Sequence, residues 1–368
     1  MSDYKRNIKT SQRIEYGFYQ MCDQFFGRAR MFKILGKRRH KFYKNLTETL
    51  KKSGEGKPVQ IERVKGLSIK DFKKNYMAKG LPVVMEGAAN EWPCVKEWSL
   101  DYMKKMHGSD EILYVKLQTE GYPYETITLG EVIDNMSSGG GKYYRFYPLL
   151  ERHPEHVKDF DYNWLLAHKN RMNWFEAFQV FIGARNSATG LHNANTCNVF
   201  VQVYGQKKWI LYPPYYTMVL DPDPVHAYRH APVRTEKGPF DPFNPNYNKP
   251  YELFKYIDTL EATLNPGDVL WLPPFYWHCV QNPTDSIGVS YRWMPPLYGF
   301  VVSPLYMLLD FLSTKPPLWK GYKMAKKDAN LIYLAETGQL DEYLKKKAEQ
   351  EEAEKAKKKE TQQTKTVV

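Results

Sequence analysis

Two histidines that lie far apart in the chain are the residues most able to do chemistry. His192 lies in the run Thr-Gly-Leu-His-Asn-Ala, and His278 ends the run Pro-Pro-Phe-Tyr-Trp-His. Two imidazoles on strands are what a metal site inside a barrel needs. The iron site of this kind uses two histidines and one carboxylate, usually in the spacing His-x-Asp or His-x-Glu. Here the second position after His192 is Ala194, so the carboxylate is missing.

The alternation of side chains along a strand predicts which groups accompany the histidines. If residues 192–204 form one strand, three side chains share a face: His192, Ala194 and Asn198. By the same reasoning His278 shares its face with Tyr276 and Val280. Cys197 and Cys279 then point the opposite way, and we expect both to be core residues and not metal ligands.

The composition limits the kinds of protein that this chain can be. It has 368 residues, of which 42% are hydrophobic and 15% aromatic, enough for one large domain or two small ones. The net charge of +12 indicates lysine-rich solvated faces, and it also suits an acidic partner. Four cysteines without a CxxC pair indicate neither a zinc site nor a disulfide framework. No signal peptide or membrane-spanning stretch is recognisable, so we expect a cytoplasmic protein.

The pattern along the chain predicts four parts. Residues 1–58 form a basic helical extension, 59–300 the main domain, 301–344 a helical segment and 345–368 a charged, flexible tail. In the extension we expect a helix that packs on the main domain and has a solvated basic edge, with one apolar stripe: Ile14, Phe18, Met21, Cys22, Phe25, Phe26 and Phe32. The alternative is a helix that lies on a membrane surface or binds a partner.

Local signals predict the order of elements in the main domain. Ser68 and Ser99 suit the starts of two helices, and Gly80 suits the end of the first. From about residue 191 the pattern changes to strands, at 198–204, 208–212, 269–272, 277–281 and 287–293. The long loop 222–248 is of the kind that often borders binding sites, and we expect its His226 and His230 at the surface.

Taken together, these segments resemble the Jumonji-C, cupin-like family of Fe(II)/2-oxoglutarate oxygenases. The similarity is greatest to the branch with the asparaginyl hydroxylase of hypoxia-inducible factor and bacterial cupin-like proteins, and it covers about residues 58–300. The order and spacing of short motifs carry it: PVV at 82–84, WP at 92–93, TGLH at 189–192, NVF at 198–200, GQKKW at 205–209, PP at 213–214, NPGDVL at 265–270, WH at 277–278 and SIGVS at 286–290.

The resemblance implies a fold, an activity and a set of site residues. The fold is a double-stranded β-helix, the jelly roll of cupins, which is mainly β with flanking helices. The activity is oxidation of a C–H bond coupled to decarboxylation of 2-oxoglutarate to succinate. His192 and His278 hold iron(II) by position. The residues that hold the cosubstrate are Lys207, which binds its distal carboxylate, Thr189, which assists, Asn198 near the metal, Tyr143 or Tyr144, and Ser290, which stands where relatives often carry Asn.

Ala194 departs from the family pattern, and three interpretations follow. In the first, iron stays bound and chloride takes the open position, as in the non-haem iron halogenases that this motif resembles. In the second, the protein is a hydroxylase in which water, Asn193 or Asn195 completes the metal shell. In the third, the site is inactive and the protein is a binding module. Retention of Thr189, Asn198 and Lys207 argues against complete loss of the site.

Several partners are compatible with the sequence. The substrate class stays open among an amino acid, a protein or peptide side chain and a small metabolite. The helical segment 301–344 lies where relatives carry a dimerisation element, so we expect a homodimer. The basic extension could bind an anionic membrane surface, and no nucleic-acid motif is present.

Overall fold

The computed structural model describes residues 8–115, 124–141, 143–147, 149–170, 176–224, 240–295 and 297–312, with four single positions nearer the C-terminus. In this part of the chain the strands are β1 (Pro58–Gln60), β2 (Arg63–Lys65), β3 (Val83–Glu86), β4 (Glu111–Val115), β5 (Tyr124–Thr128), β6 (Tyr143–Tyr147), β7 (Glu176–Gly183), β8 (Ala188–His192), β9 (Cys197–Tyr204), β10 (Lys207–Tyr212), β11 (Thr259–Leu264), β12 (Val269–Leu272), β13 (Trp277–Gln281) and β14 (Ser286–Trp293).

In the part of the chain that the structure describes, two α-helices precede the strands, seven lie between strands and two follow the last strand. They are α1 (Thr10–Phe26), α2 (Arg28–Lys52), α3 (Ile69–Asp71), α4 (Pro93–Glu97), α5 (Leu100–His107), α6 (Leu129–Ser137), α7 (Leu149–Arg152), α8 (Tyr162–Ala167), α9 (Thr217–Leu220), α10 (Tyr298–Val302) and α11 (Pro304–Phe311). A π-helix at Phe72–Met77 continues α3, and 3-10 turns lie at Pro154–Asp159, Pro214–Tyr216 and Glu252–Tyr256.

The strands form two large sheets and one hairpin. The seven-stranded sheet has the order β2-β3-β12-β9-β14-β7-β6, and the five-stranded sheet has the order β1-β11-β10-β13-β8. Strands β9 and β10 are consecutive in the chain, yet they belong to different sheets. The turn between them needs glycine, because Gly205 has φ +65° and a Cβ there would lie 1.9 Å from the carbonyl oxygen of Asp285. This mainly β architecture with flanking helices confirms the predicted fold class.

Alternation along the strands divides each sheet into an inner and an outer face. A buried cluster between the sheets takes side chains from both, including Trp209 and Leu211 from β10 and Phe200 from β9. Two other clusters cover the outer faces. One packs α4 to α6 and α8 on the seven-stranded sheet, and the other packs α1 and α2 on the five-stranded sheet. Cys197 and Cys279 lie in these outer clusters, which confirms that both are core residues.

The two N-terminal helices pack on the domain, but not through the predicted stripe. Ile14 is 69% exposed and Phe26 is 59% exposed, whereas Tyr16 and Tyr19 are buried. Hydrogen bonds explain the choice of face: the Tyr16 hydroxyl donates to the carbonyl of Thr217, and an Arg28–Asp221 ion pair joins α2 to the end of α9. Helical spacing identifies an apolar stripe. It does not show which polar side chains have hydrogen-bond or ion-pair partners on the domain.

Residues 192–204 are not one strand, which corrects the prediction. Strand β8 ends at His192, β9 begins at Cys197, and residues 193–196 cross from one sheet to the other. Ala194 therefore lies in the segment that connects β8 to β9. The path of this segment between the two sheets determines the neighbours of Ala194, and strand alternation does not. The strands predicted further along are confirmed within one residue.

Several local signals are confirmed. The Ser99 hydroxyl accepts from the Tyr102 amide at the start of α5, and the Ser68 hydroxyl accepts from the Asp71 amide at the start of α3. Gly80 adopts φ +61° after the first helical segment. The described part of the C-terminal segment is helical through α10 and α11, whereas most of 313–368, and both His226 and His230, lie outside the described residues. Among the described residues, no helix is long and apolar enough to cross a membrane.

Candidate metal and cosubstrate site

His192 and His278 lie opposite each other on adjacent antiparallel strands. They are paired residues of β8 and β13, and their ring centroids are 4.2 Å apart. His278 is 4% exposed, while His192 is half-buried at the end of its strand. The register thus brings the two predicted metal ligands together at one end of the five-stranded sheet.

Backbone hydrogen bonds set the same tautomer on both rings. Nδ1 of His192 lies 2.7 Å from the carbonyl oxygen of Gly190, and Nδ1 of His278 lies 2.9 Å from that of Tyr276. A carbonyl can only accept, so each Nδ1 carries the proton and each Nε2 keeps its lone pair. Burial, with a smaller effect from the nearby charge of Arg292, lowers the pKa of His278 to about 4. The pair therefore offers two neutral imidazole nitrogens, the form that binds a metal ion.

The structure places Ala194 beside the turn that precedes His278. Its carbonyl oxygen accepts a hydrogen bond of 2.7 Å from the amide of Phe275, a residue with φ +64°. A positive φ at a bulky residue is strained, so the rest of the fold holds this turn in place. The alanine side chain itself offers no ligand atom for a metal.

No replacement carboxylate approaches the two histidines in the described part of the chain. No Asp, Glu or Cys there has a ligand atom that forms a group within 4.8 Å with those of His192 and His278. The Asn195 amide, one of the two candidates for a substitute ligand, donates instead to Asp310 of α11 at 3.1 Å. Asn193 is buried next to His192.

Lys207 is buried on the inner face of the same sheet. It is 1% exposed, pairs with the core residue Leu264, and donates from Nζ to the side-chain oxygen of Asn282 at 2.5 Å. Burial lowers its pKa to about 7. Lys207 is therefore a core residue and not a solvated residue at the end of its strand. A buried ammonium favours an anionic partner, since a carboxylate nearby offsets its lost hydration.

The opposite sheet contributes a polar group to the same interior. The Ser290 hydroxyl donates to the side-chain oxygen of Asn198 at 2.6 Å, and Nε of Arg292 donates to the Ser290 hydroxyl at 2.9 Å. Asn198 and Arg292 are paired in register on β9 and β14. Thr189 pairs with Val280, a residue of the inner cluster, so it lies on the face that carries Lys207.

Tyr144 is not brought to this interior, which corrects its predicted role. It pairs with Ile182, and both lie in the cluster on the outer face of the seven-stranded sheet. Phe181, the neighbour of Ile182 on β7, lies in the cluster between the sheets and marks the inner face of that strand. Directly paired residues share a face, so Tyr144 packs on the side away from Lys207.

Two buried polar side chains of the interior were not predicted. The indole nitrogen of Trp209 and the side-chain oxygen of Gln179 have no hydrogen-bond partner among the described residues. The Trp209 ring lies 5.7 Å from the ring of His278, and Gln179 pairs with Ser290. Buried polar groups are nearly always satisfied, so these atoms indicate a polar ligand in the interior. The donor set fits iron(II) with an oxo acid as cosubstrate.

Comparison with protein families decides how this fold is classified. Residues 69–297 match the family described as the cupin-like domain. The chain belongs to the cupin-like family. The match spans most of the main domain and contains both histidines and Lys207.

Relatives of known name include a JmjC domain-containing protein, a demethylase and a lysyl hydroxylase. The chain is 26% identical over 251 residues to JmjC domain-containing protein D of Dictyostelium discoideum, covering 60% of this chain and 53% of the relative. It is 26% identical over 237 residues to lysine-specific demethylase 8 of Xenopus tropicalis, covering 61% and 51%. It is also 24% identical over 277 residues to the human bifunctional peptidase and (3S)-lysyl hydroxylase JMJD7, covering 66% and 85%. The matched segment thus spans about half the length of the first two relatives.

Proposed function

We propose that this protein is an Fe(II)/2-oxoglutarate-dependent oxygenase that acts on a C–H bond. The observation that carries the proposal is the paired arrangement of His192 and His278, in which a backbone carbonyl oxygen lies within hydrogen-bond distance of each Nδ1. A buried lysine on the inner face of the same sheet supplies the matching cosubstrate group. The names of the relatives, a demethylase and a lysyl hydroxylase, agree with an oxidative reaction.

Each residue of the interior has a separate task. His192 and His278 would hold the metal, and the carbonyls that fix their tautomers keep the rings oriented. Lys207 would bind the distal carboxylate of 2-oxoglutarate, with Thr189 beside it on the sheet. Asn198, held by Ser290, would position the cosubstrate near the metal. Iron(II), when bound with 2-oxoglutarate, supplies oxidative decarboxylation of the cosubstrate and activation of dioxygen.

The absence of a carboxylate at position 194 changes the charge of the site. Two neutral imidazoles leave the metal with its full positive charge, and Arg292 lies close enough to lower the pKa of His278. The charge of the metal ion and the charge of Arg292 both favour an anion in the coordination position that a carboxylate at residue 194 would take. Halogenation with bound chloride is therefore the second candidate reaction, and hydroxylation with water in that position is the first.

The substrate we propose is an amino-acid side chain in a protein or peptide. The support is the printed activity of two relatives, which are named for lysine demethylation and lysyl hydroxylation. A non-catalytic binding module is the outcome that remains if no turnover occurs.

Turnover of labelled 2-oxoglutarate tests the proposal. The protein with iron(II), ascorbate and ¹³C-labelled 2-oxoglutarate should release labelled succinate, even without substrate, at a rate above that of the His278→Ala variant. The exposed His40, changed to Ala, is the matched control because it lies on α2 away from the sheets. Equal succinate from the protein and from His278→Ala would contradict the proposal.

A further inference from the structure

A second group of histidines lies in the layer that covers the seven-stranded sheet. The histidine cluster consists of His107 at the end of α5, Asp110 before β4, and His153, His156 and Asp159 after α7. The rings of His107 and His153 are 4.0 Å apart, and those of His107 and His156 are 4.9 Å apart. None of these elements carries a residue of the site proposed above.

A chain of hydrogen bonds orients the rings on one side of the cluster. Asp159 accepts from the indole nitrogen of Trp98 at 3.0 Å and lies 2.6 Å from Nδ1 of His156. A carboxylate accepts, so Nδ1 of His156 donates to it. Nε2 of His107 lies 2.8 Å from Nε2 of His156, so the ring of His107 is held through this nitrogen.

Nδ1 of His107 is buried without a partner. His107 is 3% exposed, and its Nδ1 has no hydrogen-bond partner among the described residues. Burial, together with the neighbouring His153 and His156, lowers the pKa of His107 to about 4. A neutral imidazole with a bare nitrogen, oriented through its other nitrogen by a second residue, is the usual state of a metal-binding histidine.

The other side of the cluster supplies a carboxylate and a second imidazole. Nε2 of His153 lies 2.9 Å from Oδ2 of Asp110, which also accepts a hydrogen bond of 2.5 Å from the Tyr147 hydroxyl. Burial alone would raise the pKa of Asp110, but the bonds from Tyr147 and His153 outweigh it and lower that pKa. The carboxylate is therefore charged near neutral pH.

We propose that His107, Asp110 and His153 bind a divalent transition metal ion of the zinc class at a second site. One ligand atom from each residue lies within 4.8 Å of the other two. Tetrahedral zinc with bonds of about 2.0–2.1 Å places its ligand atoms roughly 3.3 Å apart, so small side-chain rotations close the site. Bound zinc would take the place of the proton between Nε2 of His153 and Asp110, and the imidazole would then carry its proton on Nδ1.

A bound ion would link separate segments of the layer that covers the seven-stranded sheet. Its ligands come from α5, from the turn before β4 and from the segment after α7, which are far apart in the chain. An ion that binds the folded state alone stabilises it in proportion to the logarithm of its concentration. Two nitrogens and one carboxylate oxygen suit Zn²⁺ better than Ca²⁺ or Mg²⁺, which prefer oxygen ligands. Water would complete the shell.

Metal counting on the full chain tests the proposal separately from the oxygenase function. The His192→Ala/His278→Ala double variant removes the first site, so one equivalent of Zn²⁺ should still bind to it. Co²⁺ added to the same protein should give visible d–d absorption bands. Adding Asp110→Asn to the double variant should weaken this binding about 100-fold. This change keeps the size of the side chain and its ability to accept from Tyr147.

Two further measurements keep the outcome decisive. If the double variant does not fold, the otherwise unchanged chain should bind two equivalents of Zn²⁺ and Asp110→Asn one. The control His40→Asn changes an exposed histidine and should leave both counts unchanged. Loss of all Zn²⁺ binding in the folded double variant, or the same affinity with and without Asp110→Asn, would overturn the proposal.

Discussion

The amide of Phe275 donates to the carbonyl oxygen of Ala194, and this bond links the two halves of the candidate iron site in addition to the pairing of β8 with β13. It ties the crossing that follows His192 to the turn that leads into His278. The missing carboxylate is therefore a change of side chain within an ordered frame. That frame makes the effect of restoring an acid at position 194 predictable.

Ala194→Asp should raise the affinity for iron(II) by about tenfold or more, because a charged oxygen ligand joins two neutral imidazoles. It should also remove any effect of chloride, since the carboxylate takes the open position. Isothermal titration under anaerobic conditions measures the affinity. Ala194→Asn is the matched control, of the same size but without charge. Equal affinities of the Asp and Asn variants would show that position 194 does not face the metal.

Lys207→Met should weaken 2-oxoglutarate binding by about 100-fold, because the distal carboxylate loses its only charged partner in this proposal. The same change should raise the free energy of unfolding of the ligand-free protein by about 2 kcal/mol, since burying a lysine charge costs stability. Titration calorimetry and chemical denaturation measure the two effects. Lys208→Met is the control, because Lys208 faces the other way and lies 3.5 Å from Glu261. A Lys207 variant that binds as tightly as the control contradicts the assignment.

The affinity for 2-oxoglutarate should fall as the pH rises above 7. The pKa of Lys207 is about 7 in the free protein, and a bound carboxylate raises it. Binding then takes up a proton, so the dissociation constant should increase roughly tenfold between pH 7.0 and 8.5.

The same pKa determines how the stability of the ligand-free protein changes with pH. The folded chain holds fewer protons at Lys207 than the unfolded chain between pH 7 and about 10.5, so ligand-free stability gains from this group as pH rises.

Calorimetry in buffers of different ionisation enthalpy measures the proton uptake directly. In the Lys207→Met variant the pH dependence in this window should disappear. A dissociation constant that stays constant from pH 7.0 to 8.5 in the unchanged protein would show that Lys207 is not at the binding site.

Trp209→Phe should weaken 2-oxoglutarate binding by about tenfold if the buried indole N–H donates to the cosubstrate. Trp271 offers a matched control, because its indole nitrogen is also buried and has no partner among the described residues. Trp271 lies in the outer cluster with Phe72 and Trp293. Trp271→Phe should therefore leave binding unchanged. Similar losses in both variants would indicate a general packing effect.

The fold was predictable because its signals are local and ordered. The strand runs and the cap at Ser99 each depend on neighbours in the sequence. The faces of Cys197 and Cys279 followed from strand alternation, which fixes one face once the other is assigned. The shared site of His192 and His278 was expected from the two motifs, and the register of β8 on β13 places them opposite each other.

The parts that failed depend on contacts between distant residues. The buried face of α1 is chosen by Tyr16 and its bond to Thr217, which helical spacing cannot reveal. Tyr144 was assigned by similarity of position, but the register of β6 on β7 turns it outward. The sequence does not mark Trp209 as a site residue, because only the fold places its partnerless indole nitrogen in a ring beside His278.

The central claim is that His192 and His278 bind iron together with 2-oxoglutarate, although position 194 is alanine. An anaerobic titration of the protein with iron(II) and 2-oxoglutarate tests it most directly, through the visible metal-to-ligand charge-transfer band, with and without chloride. We predict a band that His278→Ala abolishes. A shift of the band with chloride would favour halogenation, and indifference to chloride would favour hydroxylation. The absence of a band in either condition would contradict the claim.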